Sequence, residues 1–233
     1  MIRLFFSAIF SLLLVGCIAS QPYPISEPIA TPLSVPQMRV PKVGQQWVYQ
    51  VRNVFNQQIV DIVTETVVTI SPQIRIERIG EKLGPLPDEI QEPWGYVVQN
   101  PQWNPPQRFQ QALPLWPEKL IPDWSNFYRT RYQVVGNPNA SYYWGLSSKA
   151  LGWERISVPA GQFNVLKYHN ENPYFESNDV FRVGNYREED VWLAPEIGRW
   201  VIRRSLGRYI TLGVSWSNAY WDDYLEFQLL SWK

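Results

Sequence analysis

No stretch of ten or more residues in this chain carries an apolar stripe at helical spacing, whereas period-two alternation recurs from Gly44 to the C-terminus. Trp47, Tyr49, Val51, Asn53 and Phe55 alternate with Gln46, Val48, Gln50 and Arg52. Residues 59–70 are dense in Val, Ile and Thr, whose branched Cβ suits a strand better than a helix. Ile74, Ile76 and Arg78 share one face opposite Arg75, Glu77 and Ile79, and Gly80 ends that run. Further strand candidates cover 127–135, 141–148, 153–158, 163–170, 186–193, 199–209 and 220–232. In the last, Trp221, Leu225, Phe227 and Leu229 oppose Asp222, Tyr224, Glu226 and Gln228. The best helical segment, 118–120, is bracketed too closely by Pro117 and Pro122. The pattern predicts an all-β fold: an antiparallel curved sheet or half-barrel of about ten strands, built as one domain over residues 44–233.

Two regions break the alternation. Residues 18–43 carry prolines at 22, 24, 28, 32, 36 and 41, which neither a helix nor a ladder accommodates. Residues 17–43 are therefore expected to run as an extended tether. Between Pro93 and Trp124 stand seven prolines and four tryptophans, at 94, 103, 116 and 124. That composition predicts a long irregular insertion. Indole rings need a surface to pack on, so the insertion reads either as a lid over one end of the sheet or as an aromatic mouth for a ligand.

The N-terminus reads as targeting. A basic start at Met1–Arg3 precedes an apolar run over 4–15, shorter than the roughly 20 residues a spanning helix needs. Leu14-Val15-Gly16-Cys17 then resembles the lipobox of bacterial lipoproteins. The resemblance implies removal of residues 1–16 and attachment of diacylglycerol to Cys17. Since Ile18 rather than Asp follows, it also implies an outer-membrane anchor facing the periplasm in a two-membrane host. Two or more acyl chains hold a protein to a bilayer firmly, where one does not.

A second resemblance rests on three stretches: Gly44-Gln45-Gln46-Trp47-Val48-Tyr49, Val158-Pro159-Ala160-Gly161-Gln162-Phe163 and Trp192-Leu193-Ala194-Pro195-Glu196-Ile197-Gly198-Arg199-Trp200-Val201. Together they are similar to a family of uncharacterised bacterial envelope proteins. The resemblance implies a fold like the curved half-barrel of periplasmic lipoprotein carriers, in which a sheet wraps an apolar cavity. It names no chemistry.

Composition removes several function classes. The 21 basic and 21 acidic side chains cancel, so there is no dense positive field for a nucleic acid. One cysteine leaves no intrachain disulfide, and one histidine no histidine-rich metal cage. A Ser–His–acid triad would have to use His169, and Gly213-Val214-Ser215-Trp216-Ser217 lacks the second glycine of a nucleophile elbow. Glu188-Glu189-Asp190 and Asp222-Asp223 offer paired carboxylates for sugar chemistry, and suit solvated strand ends equally. The expectation is a non-catalytic membrane-anchored lipoprotein with no cofactor or metal, binding an apolar or amphipathic ligand or a partner protein in the envelope. Candidate ligand-binding residues are Trp47, Tyr49 and Trp221, with Val51, Leu225 and Phe227 on the same inward faces, and Trp94, Trp103, Trp116 and Trp124. Two alternatives stay open. One is a carbohydrate- or peptidoglycan-binding or glycan-active module stacking sugars on those four tryptophans. The other is a structural subunit of an envelope complex.

Overall fold

The computed structural model describes residues 26–212, 219–222 and 224–233. The signal segment, Cys17 and the first residues of the tether lie outside the described residues, as do 213–218, which include Ser215 and Ser217, and Asp223. The strands are β1 (Ser26–Pro28), β2 (Gln46–Asn53), β3 (Ile59–Thr69), β4 (Ile74–Gly80), β5 (Gly84–Gln91), β6 (Tyr96–Asn100) and β7 (Gln107–Pro114). They continue as β8 (Ser125–Val134), β9 (Asn137–Val158), β10 (Gly161–Phe175), β11 (Arg182–Ala194), β12 (Arg199–Thr211), β13 (Ala219–Trp221) and β14 (Leu225–Trp232). One 3-10 turn, Pro195–Ile197, is the single helical element among the described residues.

Each strand from β2 to β12 pairs antiparallel with its successor, and β14 pairs with both β12 and β2. The all-β antiparallel expectation therefore holds, but the sheet is a closed up-and-down barrel of twelve strands, with β1 and β13 as short additions on β9 and β12. A half-barrel of ten strands would leave two edges to protect; closure leaves none in the wall. Three strands of the wall lie outside the expected set, β5, β6 and β7, while the expected 141–148 and 153–158 run as one strand, β9. The segment expected to be an irregular insertion supplies β6 and β7, which bridge β5 to β8. Its prolines spare the strand interiors: Pro93, Pro101, Pro105, Pro106, Pro117 and Pro122 fall in connections and Pro114 ends β7.

Inward positions fill the barrel at one end. Buried residues alternate along β2 as Trp47, Tyr49 and Val51, along β3 as Asp61, Val63, Glu65 and Val67, and along β4 as Ile74, Ile76, Arg78 and Gly80. The larger apolar cluster joins Trp47, Tyr49, Ile76, Trp153, Leu166, Ile197 and Leu229, and a smaller one gathers Phe109, Tyr132, Phe175 and Trp103 around Trp144.

The filled end is also covered from outside. Ile29, Met38, Trp94, Trp116 and Trp124 pack on the larger cluster. The Ile29 amide donates to Trp153 O at 2.9 Å, the Arg39 amide to Pro195 O at 2.9 Å, and Trp94 Nε1 to Arg39 O at 3.0 Å. The spacer expected over residues 17–43 is thus docked on the barrel from Ser26 onward. Its docking depends on Gly198, whose φ of 70° is left-handed. A Cβ there would stand 2.6 Å from Arg39 O, so only glycine serves both the turn and the contact.

The three resembling stretches meet at this end. Val158 and Gly161 pair across the two-residue connection Pro159-Ala160. Gln45 Nε2 and Trp47 Nε1 both donate to Ile197 O, at 3.2 and 3.1 Å, and the Tyr49 hydroxyl donates to Trp200 O at 2.9 Å. The first stretch therefore satisfies carbonyls that the third leaves free at its turn and at the β11–β12 bulge beside it.

Candidate functional site

Toward the other end, the mouth, the inward faces turn from apolar to charged. Glu65, Arg78, Glu89, Arg187 and Glu189 are buried across the middle of the barrel, Arg199 joins them from the first position of β12 at the closed end, and Arg203 is mostly buried beside them. Arg199 is wholly enclosed. Its Nε and one terminal nitrogen donate to Glu65 Oε2 at 3.0 and 2.7 Å, and its two terminal nitrogens donate to the two Glu89 oxygens at 2.7 and 3.0 Å. Arg78 Nε donates to the other Glu65 oxygen at 3.1 Å. The Arg199 guanidinium also lies 3.8 Å from the Trp200 ring centroid and 5.4 Å from that of Trp47. Burial alone would raise the pKa of Glu89; the Arg199 guanidinium outweighs it and holds the carboxyl below its ordinary value.

A second network sits beside the first. Arg203 and Gln102 donate to Glu189 Oε1, at 2.6 and 3.2 Å. Arg187 Nε is 3.7 Å from the same oxygen, too far for a hydrogen bond, while a terminal nitrogen of Arg187 donates to Ser205 Oγ at 2.9 Å. Burial pushes the Arg187 guanidinium down to about 10, with the attraction of Glu189 offsetting only part of it.

Between the two networks lies a cavity of about 350 Å³, within the range of small-molecule sites. Val51, Val63, Leu86, Leu225 and Phe227 give it apolar walls, and exposed Val60, Leu83 and Asn104 stand at its rim. Trp103 and Trp200 complete the lining, and beyond Trp200, Gln102 and Arg203 is a smaller space of about 50 Å³.

The residues singled out in the sequence are divided by this geometry. Val51, Leu225, Phe227 and Trp103 line the cavity. Trp47 and Tyr49 are fully buried in the filled half and face no free space. Trp221 lies on the short β13 with 57% of its surface exposed. Trp94, Trp116 and Trp124 cover the closed end, where the first two meet edge to face at 5.2 Å. The four tryptophans therefore form no common stacking surface. Three of them make the lid, and Trp103 packs edge-on against Trp144 at 5.6 Å near the mouth.

The acidic clusters divide as well. Glu189 points into the lumen, whereas Asp190 lies on the outer wall with His169, and Glu188 there accepts from the Tyr186 hydroxyl. Asp222 at the rim accepts from Arg182 at 2.6 Å. Apart from Glu189, the charged lumen residues are not among the candidates, yet parity marks several of them: Glu65 shares a face with Val63 and Val67, and Arg78 with Ile74 and Ile76.

His169 gives a direct check of the outer wall. Its Nδ1 lies 2.8 Å from Asp190 Oδ1, and this hydrogen bond, against partial burial, raises the imidazole pKa above its ordinary value. The pair's stabilisation is complete below the unfolded value of about 6.5 and is lost as pH rises through the folded one. With both side chains about a third exposed it is worth under about 1 kcal/mol. The single imidazole signal in a proton NMR titration is expected to move to a lower midpoint in Asp190→Asn. An unchanged midpoint would contradict the pairing.

Among the described residues no group of three His, Cys, Asp or Glu side chains could hold a metal ion, and no helix is long and apolar enough to cross a membrane. No protein-family profile and no curated protein matches the chain. Two solved structures share its fold. One, described as a candidate lipoprotein of Parabacteroides distasonis, aligns with 86% of this chain and 100% of its own, at a TM-score of 0.54 and 12% identity. The other, described as a candidate exported protein with a YmcC-like fold from Bacteroides fragilis, aligns over the same shares at 0.51 and 11%. At such identities the likeness establishes the architecture alone.

Proposed function

We propose that this protein is a lipid-anchored, non-catalytic lipoprotein of the bacterial envelope, whose barrel holds a small amphipathic ligand at its mouth. The observation that carries this reading is the cavity itself: one end of the barrel is packed and lidded, and the other keeps about 350 Å³ with apolar walls and buried polar groups. The descriptions of the two like-folded proteins and the Leu14–Cys17 stretch support the envelope setting. The outer wall supports a barrel standing beside the membrane. Arg75, Arg129, Arg131, Lys149, Arg155 and Arg208 are exposed on outward strand positions, where a lipid-embedded wall carries an apolar band.

On this reading the closed end stands toward the membrane. β1 docks at Ile156, near the closed end of β9, and Ser26 is the ninth residue after Cys17, a reach of at most about 30 Å. The mouth then faces away from the anchor, toward the periplasm in a two-membrane host. A partner protein is the second reading, favoured by Phe55, Val180, Phe181, Leu212 and Trp221, all exposed on connections and short strands of the mouth end.

The test is to express the full chain with its own signal segment in a two-membrane bacterium and to compare it with Cys17→Ser. The wild-type chain should fractionate with membranes and carry a diacylglycerol-sized mass on Cys17, and the variant should lose both. The mature Cys17→Ser chain, purified without detergent, should retain a small molecule in native mass spectrometry. Membrane residence without Cys17 would refute the anchor, and an empty barrel that takes up no amphiphile would refute the ligand site.

A further inference from the structure

The buried charges around the cavity do not cancel locally. In the first network two guanidiniums, Arg78 and Arg199, meet two carboxylates, Glu65 and Glu89, and both guanidiniums have a carboxylate hydrogen bond. In the second, Arg187 and Arg203 share the single carboxylate of Glu189, and Arg203 holds it. The other acids of the lining are engaged elsewhere. Asp61 accepts from the amides of Ile62, Lys82 and Leu83 at 2.8, 2.9 and 3.2 Å, and Asp222 is bonded to Arg182. Arg187 is therefore a buried cation without a hydrogen-bonded counter-ion.

Two buried donors on residues of the cavity lining lack acceptors. Among the described residues, neither Arg187 Nε nor the Trp200 indole N–H has a hydrogen-bond partner, and both side chains line the cavity. Buried N–H groups are paired in the great majority of proteins, and an unpaired one beside a cavity calls for an acceptor from outside the chain. A guanidinium fork is suited to a planar or tetrahedral oxyanion. On the neighbouring strands β14, β2 and β3 the same lining has Leu225, Phe227, Val51 and Val63, which suit an aliphatic body and offer no hydrogen bond.

We infer that the mouth-end cavity selects a small amphiphile with an anionic head group, a carboxylate or a phosphate monoester, seated on Arg187 and the Trp200 N–H with its apolar part against Val51, Val63 and Phe227. This deepens the ligand-binding reading and rests on it. The charge is held by the chain's own surplus guanidinium, so no metal is needed to neutralise the ligand.

The test is isothermal titration of the full mature Cys17→Ser chain with octanoate, octyl phosphate, octan-1-ol, octyltrimethylammonium and inorganic phosphate, each below its aggregation concentration. Octanoate and octyl phosphate are expected to bind at least about tenfold more tightly than octan-1-ol, the weight of a charge-assisted hydrogen bond. Arg187→Gln should abolish the preference, bringing octanoate and octyl phosphate to the affinity of octan-1-ol; it leaves Glu189 paired with Arg203, so no bare charge is created. Trp200→Phe should weaken the two anions about threefold or more. Inorganic phosphate binding as well as octyl phosphate would identify a free anion as the source. Octan-1-ol or octyltrimethylammonium binding as tightly as octanoate would overturn the anionic head group and leave a ligand site standing. A preference that survives in Arg187→Gln would do the same. If no probe binds, charged or neutral, the ligand-site reading itself falls. Should Arg187→Gln fail to fold, the wild-type series and Trp200→Phe decide.

Discussion

Arg199→Leu is expected to lower the unfolding free energy by about 3–5 kcal/mol at neutral pH and to invert its dependence on acid. The Arg199 guanidinium has no exposed surface and is the shared partner of Glu65 and Glu89, so its loss strands a carboxylate that cannot reach water. At roughly 2–4 °C per kcal/mol for a chain of this size, the melting temperature should fall by about 6–20 °C. The pH dependence separates this from mere loss of packing. In the wild-type chain Glu89 has a folded pKa below its unfolded value, so its contribution is present above the unfolded value and is lost as pH falls through the folded one. Without Arg199, burial acts on Glu89 against only the Gln91 hydrogen bond and the charge of Arg78, and it raises the folded value above the unfolded one. Stability then rises as pH falls and the carboxyl takes a proton. Urea denaturation of both chains at pH 7.5 and at pH 5 reads this out: the gap between them should shrink at the lower pH. Arg199→Met combined with Glu89→Gln should recover more than half of the loss, because Glu65 and Arg78 remain as a neutral pair. A loss under about 1 kcal/mol at pH 7.5, or a gap independent of pH, would show that the network does not hold these charges.

The same network explains why the sequence was legible in its architecture and not in its site. Alternation over 46–53, 59–69 and 74–80 announces strands with one buried face, and all three form. What alternation alone does not announce is closure, since a half-barrel and a barrel share one local pattern and differ in whether residues 96–100 and 107–114 pair. In those residues proline density masked the signal: the prolines mark the connections, and the strands between them are only five and eight residues long. The tryptophans of that segment form one group in sequence but not in space. An up-and-down meander sends successive connections to opposite ends, so Trp94 and Trp116 lie at one end and Trp103 at the other. Glu65 and Arg78 stood on apolar faces in plain view. The bond from Arg199 to Glu65 spans 134 residues, and no local pattern carries a contact of that separation.

A chain beginning at Gly44 is expected to be about 2–4 kcal/mol less stable than one beginning at Ser26, although the omitted residues are rich in proline and contribute only the three-residue strand β1. Half-buried Ile29 and Met38 each remove apolar surface from water at the closed end, at roughly 1 kcal/mol apiece, and Pro41 is buried beside them in sequence. The backbone bonds of Ile29 to Trp153 and of Arg39 to Pro195 add to this. The shorter chain also uncovers Trp94, whose N–H loses Arg39 O, so its tryptophan emission should shift to longer wavelength before any unfolding. Ligand binding at the mouth should survive the truncation, because no residue before Gly44 lines that cavity. Chemical denaturation and emission spectra of the two chains, followed by the octanoate titration, separate these effects. Equal stability and equal emission would return residues 26–43 to the role of a passive spacer. A truncated chain that folds and no longer binds would move the ligand to the lidded end, since the mouth is left intact. The expected result, lower stability with unchanged binding, fits a barrel whose anchored end is a structural plug and whose distal end is free to receive a ligand.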